Sequence, residues 1–188
     1  EVAIARKPKP SALSALKRLS AACPSHGQQA LSPELLGPLV ALAQTTKVGA
    51  EHAVATLLVL ERAYPKEVIE AGAIHVFENC LSANPTPKAP PVIVHSAGGT
   101  LRRLVTMAMA RDAIMATTTQ LVELLRLSSV SAQAHVTAVI ASLVCEPEGR
   151  KAVAAAGAAS PLVQLTCSAS VEVQQEAIGI LCQLAHQS

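Results

Sequence analysis

Three stretches of this sequence hold residue types that could do chemistry. His75, Glu78 and Asn79 stand at i, i+3 and i+4, one face of a helix, a spacing that metal ions use. No second cluster of His or Cys supplies the remaining ligands, so His75 reads as structural or solvated and no metal site is expected. The run Pro91-Val92-Ile93-Val94-His95-Ser96-Ala97-Gly98-Gly99-Thr100-Leu101 sets β-branched residues ahead of two glycines and a threonine. A strand leading into a phosphate-cradling turn has that pattern. A doubly wound fold needs several such strands, however, and no comparable run occurs elsewhere. Cys145 beside Glu146 ends an apolar stripe and reads as packing, because a reactive thiol needs a basic neighbour. Thr117-Thr118-Thr119 is expected to cap a helix, where phosphorylation would place charge at a helix N-terminus. Neither a Gly-x-Ser-x-Gly elbow nor a His-Glu-x-x-His pair is present. With Asp112 the one aspartate, a carboxylate site would have to draw on scattered glutamates. The expectation is a protein that is not an enzyme, with no catalytic, cofactor-binding or metal-binding residues and no cofactor.

The elements that would position such groups must be apolar and helical. Of 188 residues 51% are hydrophobic, enough to bury a sizeable core, and Ala, Leu and Val favour helix over sheet. Only 15% are charged, and the net charge of +2 is too small by itself to point to a nucleic acid or an acidic partner. Trp is absent, and Tyr64 and Phe77 are the single tyrosine and phenylalanine, so bases would find almost no ring to stack on. No window approaches eighteen uninterrupted apolar residues, and no membrane span is expected. The cysteines (Cys23, Cys80, Cys145, Cys167 and Cys182) are odd in number, lack a Cys-x-x-Cys pair and fall mostly in apolar helical patterns. They read as reduced, buried thiols of a cytosolic-type compartment. Residues 1–10, with Arg6-Lys7-Pro8-Lys9-Pro10, read as a basic, proline-containing linker.

An internal period organises the rest. Three strings align: Leu39-Val40-Ala41-Leu42, Leu121-Val122-Glu123-Leu124 and Leu162-Val163-Gln164-Leu165. The interval from Leu39 to Leu121 is twice that from Leu121 to Leu162, two periods and then one. Each string precedes an apolar helical stripe: Leu57/Leu60, Val136/Ile140/Leu143 and Ala177/Leu181/Leu184. Ala97, Leu101 and Leu104 precede Val136, Ile140 and Leu143 by one constant interval close to that period, which places the two-glycine run on a helix. Gly98 and Gly99 would then thin that helix where something packs closely. Gly72 and Gly157 each break the chain between a short helix and a longer one. Pro38 and Pro161 are expected in first helical turns. Ser32 and Ser170 are expected N-caps. The domain is expected to span 11–187: a partial repeat at 11–26, then repeats at about 27–62, 63–108, 109–145 and 146–187.

A three-helix repeat of that period, with an Ala-Gly-Ala between the first two helices and Glu176-Ala177-Ile178-Gly179-Ile180-Leu181-Cys182-Gln183-Leu184 in the third, resembles the armadillo family. The stretch from Glu148 through Leu184 carries the resemblance most fully, and HEAT-type repeats share some of its features. The fold it implies is all-α: a right-handed superhelix of about four repeats plus a partial N-terminal one, with third helices lining a concave groove. In the family a third-helix Asn clamps an extended peptide, with a Trp one turn earlier. Here those Asn slots hold Arg18, Val59, Arg103, Ser142 and Gln183, and the Trp slots hold Ser14, Ala55, Gly99, Ala138 and Gly179. Recognition of a basic extended peptide is therefore not expected. Small residues would leave a shallow groove admitting a partner helix, and Lys17, Arg18, Arg102 and Arg103 would make its first half mildly basic. An acidic helix or tail is the partner that follows, since arginine grips carboxylates in pairs. Asn84 to Pro91 holds four prolines in eight residues and predicts a stiff projecting loop. Pro87 and Lys88 are its candidate contacts.

The function expected is a non-enzymatic protein-interaction scaffold, a segment of a larger cytoplasmic or cytoskeletal assembly, a ciliary one included. Its ends are expected to stack on more repeats or on another subunit. The alternative is a regulatory or ligand-sensing domain of a multidomain enzyme, taking a small anion at Arg102/Arg103.

Overall fold

The computed structural model describes residues 33–45, 49–82, 90–127 and 129–186. Among them the chain forms eleven helices and no strand. These are α1 (Pro33–Ala43), α2 (Ala50–Ala63), α3 (Pro65–Glu70), α4 (Ala73–Leu81), α5 (Pro91–Leu104), α6 (Ala108–Ala116), α7 (Thr118–Leu127), α8 (Val130–Leu143), α9 (Pro147–Ala155), α10 (Ala159–Leu165) and α11 (Val171–Ala185). They stack in three columns. α2, α5, α8 and α11 follow one another in one, α1, α4, α7 and α10 in a second, and α3, α6 and α9 supply a short helix ahead of each later pair. The layout is an all-α repeat solenoid, α3–α5, α6–α8 and α9–α11 being successive three-helix units.

The core is the set of apolar stripes facing between columns. Leu57, Leu101 and Ile140 are fully buried at matching points of α2, α5 and α8, as are Leu121 and Leu162 in α7 and α10. Aligning these stripes relates positions across units. Ala53, Ala97, Val136 and Ala177 fill one slot of the α2 column, and Leu60, Leu104, Leu143 and Leu184 another. The Leu-Val-x-Leu strings fall on α1, α7 and α10. In α4 the same slots hold Phe77-Glu78-Asn79-Cys80, which is why that string is missing from its unit.

Local chemistry sets the ends. Gly72 and Gly157 adopt φ 81° and 74°, a left-handed turn other residues resist, and each separates the first helix of a unit from the second. The second helix is the longer at Gly72, but at Gly157 it is the shorter, α10 having 7 residues against 9 in α9. Ser170 caps α11 by accepting from Val173 N at 3.5 Å, and Ser129 caps α8 by accepting from Ala132 N at 3.3 Å. Pro161 lies in the first turn of α10, as expected, but Pro38 lies further in, because α1 starts at Pro33. Ser32 and the partial repeat at 11–26 fall outside the described residues. The two-glycine run is helical within α5, not a strand and turn. A Cβ on Gly98 would come within 2.3 Å of the His135 ring, so the glycine lets α8 approach α5 closely. Gly99 has nothing within 4 Å of that position.

Two further expectations are corrected. Cys80 is buried, and burial pushes its thiol up to about 11, but Cys145, Cys167 and Cys182 are exposed. Cys145 falls just past α8, and Cys182 lies on the side of α11 that neither α8 nor α10 covers. The Thr117–Thr119 run does not cap α7. Thr117 and Thr118 donate backwards, to Ile114 O at 2.8 Å and Met115 O at 2.6 Å, closing α6.

Candidate functional site

The α2–α5–α8–α11 column carries the residues singled out from sequence. Ala55, Gly99, Ala138 and Gly179 fall at one register point of its four helices. Gly99 and Gly179 open onto empty space, while Ala138 is buried at 6% exposure. One turn further on stand Val59, Arg103, Ser142 and Gln183. Val59 is 38% exposed, Gln183 is exposed, and the half-buried Ser142 spends its hydroxyl on Ala138 O at 3.1 Å. Lys17, Arg18, Pro87 and Lys88 fall outside the described residues.

Arg102 and Arg103 are neighbours in sequence but not in role. Arg103 donates to the carboxylate of Glu61 on α2, whose side chain is only 2% exposed. Glu61 stands in the slot that Val105 and Val144 fill in the next two units, both fully buried. A charge there needs a cation, and Arg103 supplies it from the following unit. Arg102 instead joins the polar groups of α8 and α11. His135 lies 3.2 Å from His95, nitrogen to nitrogen, and its imidazole is held below the usual histidine range by burial, then by His95 and Arg102. Glu176 of α11 is pushed up by burial, with Arg102 opposing and Glu172 adding to the effect. These couplings tie α5, α8 and α11 into one electrostatic surface.

At its far side an open cavity of about 450 Å³ is lined by Cys145, Arg150, Gln183 and His186. Arg150 donates to Val144 O at 2.9 Å and Cys145 O at 3.1 Å, closing the C-terminus of α8. Arg111 does the same one unit earlier, donating to Val105 O at 3.2 Å while pairing with Glu146 at the start of α9. Sequence reasoning missed these two arginines, although Arg111 and Arg150 are spaced just as Leu104 and Leu143 are.

His75, Glu78 and Asn79 do share a helical face, but Glu78 points into the stack. It is 3% exposed and bonds through Oε1 with Thr117, in the next unit. Oε2 has no hydrogen bond and lies 3.5 Å from His75 Nδ1. Burial raises the Glu78 carboxyl to about 7, against the opposing pull of Thr117 and His75. The Thr117 hydroxyl has one proton for two acceptors, Glu78 and Ile114 O. A protonated Glu78 satisfies both contacts by donating to Thr117. Among the described residues no group of three or more His, Cys, Asp or Glu side chains could hold a metal ion. None of their helices is long and apolar enough to cross a membrane.

Residues 146–186, which span α9–α11, match the family model for the armadillo/beta-catenin-like repeat. This unit is an armadillo repeat, and the array it belongs to has the armadillo fold. Similar solved structures agree over nearly the whole chain. A computationally designed armadillo repeat protein for modular peptide recognition is 22% identical with TM-score 0.70, over 95% of this chain and 77% of that one. A designed armadillo repeat protein in complex with the peptide (KR)4 is 23% identical with TM-score 0.61, over 93% and 74%. An engineered protein of similar form is 22% identical with TM-score 0.66, over 94% and 74%. No curated protein matches the sequence. Armadillo arrays are typically peptide- and protein-binding scaffolds.

Proposed function

We propose that the protein is a non-enzymatic interaction scaffold whose α2–α5–α8–α11 column receives a partner helix or acidic segment of a cytoplasmic assembly. The observation that carries this reading is the line of small residues along the column. Gly99 and Gly179 leave room that no side chain among the described residues enters. A helix of the partner can approach the backbone there, as it could not over a tryptophan. The designed relative that holds (KR)4 takes a basic peptide; this column offers Arg102 instead, which favours carboxylates. Arg103 contributes less, its charge being matched by Glu61.

Photo-crosslinking tests the reading. A benzophenone side chain is placed at Gly99 or Gly179, and a control at the exposed Glu123 on α7. Crosslinks to one partner from both column positions and none from Glu123 support it. Crosslinks from Glu123 alone would sink it. Gly99→Trp, which fills the space, should release the same partner without lowering the thermal midpoint.

A further inference from the structure

The α3–α5 and α6–α8 units meet at two contacts of opposite kind. In one column the His135 side chain of α8 lies against the bare helix backbone of Gly98 on α5, a steric fit. In the other, α4 is held to the start of α7 by the hydrogen bond between Glu78 and Thr117, both buried. The first contact does not involve the Glu78 proton, and the second depends on it.

The polar contact is poorly served once the carboxyl ionises. Thr117 has a single hydroxyl proton, and Ile114 O also accepts it. Glu78 Oε2 has no hydrogen bond, nor has the buried Oγ of Ser82 one turn further along α4. Among the described residues, no charged side chain of α1, α2, α3, α5 or α7, the helices packed against α4, acts on this carboxyl. The titratable group that does is His75 on α4 itself, 3.5 Å from Oε2. A protonated Glu78 donates to Thr117 and closes the junction. An ionised one leaves a charge in an apolar seam, where water reaches Oε2 and the Ser82 hydroxyl only if α4 and α7 part. Burial brings this change near neutrality, raising the carboxyl to about 7. The next junction has no counterpart. Val122 stands in place of Glu78, and Ala156 in place of Thr117 when Arg150 is aligned with Arg111.

We propose that this junction is a proton-operated latch: loss of the Glu78 proton to bulk water releases Thr117 and parts α4 from α7, while His135 on Gly98 keeps α5 and α8 together. The two units then pivot about the α5–α8 contact, and neither unfolds. The latch stands independently of what the column binds.

Hydrogen exchange of the full chain, read by mass spectrometry at about pH 5.5 and about pH 8 and corrected for the intrinsic rate at each, tests this. α4 and α7 have 9 and 10 residues, too few to hold their amides without packing, so parting shows as exchange. Peptides from these two helices should lose protection about tenfold at the higher pH, while those from α10 and α11 keep theirs. Glu78→Gln, whose amide donates to Thr117 at either pH, should abolish the difference. Unchanged protection of α4 and α7 in the wild type would overturn the proposal, as would the same pH response in Glu78→Gln. An equal loss in α10 and α11 would overturn it too, because it marks unfolding of the whole array. That comparison within the wild type stands without the variant.

Discussion

α4 and α7 hold the same place in successive units, and each faces the unit that follows. In α7 the slot is filled by Val122, sealed at 1% exposure. In α4 it is filled by Glu78, equally sealed but bonded to Thr117. The α2 column repeats the contrast, with Glu61 where α5 and α8 lead into Val105 and Val144. The two earlier junctions thus each contain a buried carboxylate with a named partner across the junction, while the later one is apolar in both slots. An apolar slot contributes burial alone, independent of pH and tolerant of small shifts. A carboxylate slot adds register, because its partner stands at one height only, and its stability follows the proton.

The harshest test moves the polar solution into the apolar junction. Val144→Glu would bury a carboxylate opposite Gln183, not an arginine, and should cost about 3–5 kcal/mol in urea denaturation. Adding Gln183→Arg should restore part of that loss. If the single variant costs nothing, the slots are not equivalent and the comparison fails.

Next comes the proton on Glu78. Its carboxyl titrates near 4.5 in the unfolded chain and about 7 in the folded one. Below 4.5 both states hold the proton. Between 4.5 and 7 the unfolded chain releases it while the folded chain keeps it, so stability falls across that window, then levels off above 7, by roughly 3 kcal/mol. Glu78→Gln should match the wild type near pH 4 and exceed it at pH 8. Parallel pH profiles for the two proteins would contradict the assignment.

Thr117→Val sharpens the same junction at smaller scale. It removes the partner of a buried carboxyl and should cost about 1–2 kcal/mol at pH 5, measured by thermal unfolding. The corresponding loss should be absent in a Glu78→Val, Thr117→Val double variant, which copies the apolar design.

The smallest effect has the opposite sign. Gly99→Ala should stabilise the protein by up to ~1 kcal/mol, since the new methyl meets open space and helix propensity rises. Gly98→Ala, one residue away, should destabilise it, because the methyl would strike His135. Equal midpoints for the two would remove the close α5–α8 contact from the account.

Much of this architecture is legible in the sequence because repetition multiplies a weak signal. One Leu-Val-x-Leu string means little; three at related spacings, each ahead of an apolar stripe, fix helix order and register. The same averaging hid the polar junctions. Glu78 was visible, but as one face of a helix with His75 and Asn79, a pattern blind to which way that face points. Comparing it with Val40, Val122 and Val163 would have marked it as a charge in a core slot. Glu61 lies one residue past the stripe, where no repeat string reaches. The exposed cysteines were misread for a related reason: Cys182 sits in an apolar run, but its slot holds the buried Leu58 in α2 and the exposed Arg102 in α5. The line of small residues was legible from register alone, since Ala55, Gly99, Ala138 and Gly179 need only the period to be aligned.

The missing Cβ of Gly98 also bears on shape. In a stacked array, curvature is the difference in spacing between columns, and a step that closes in one column alone bends the whole rod toward it. By admitting His135 against its backbone, Gly98 shortens the α5–α8 step within the column proposed to receive a partner. A rigid straight rod would not follow a bend at that step. A segment that bends, or one short enough to sit within a single step, would follow the surface throughout.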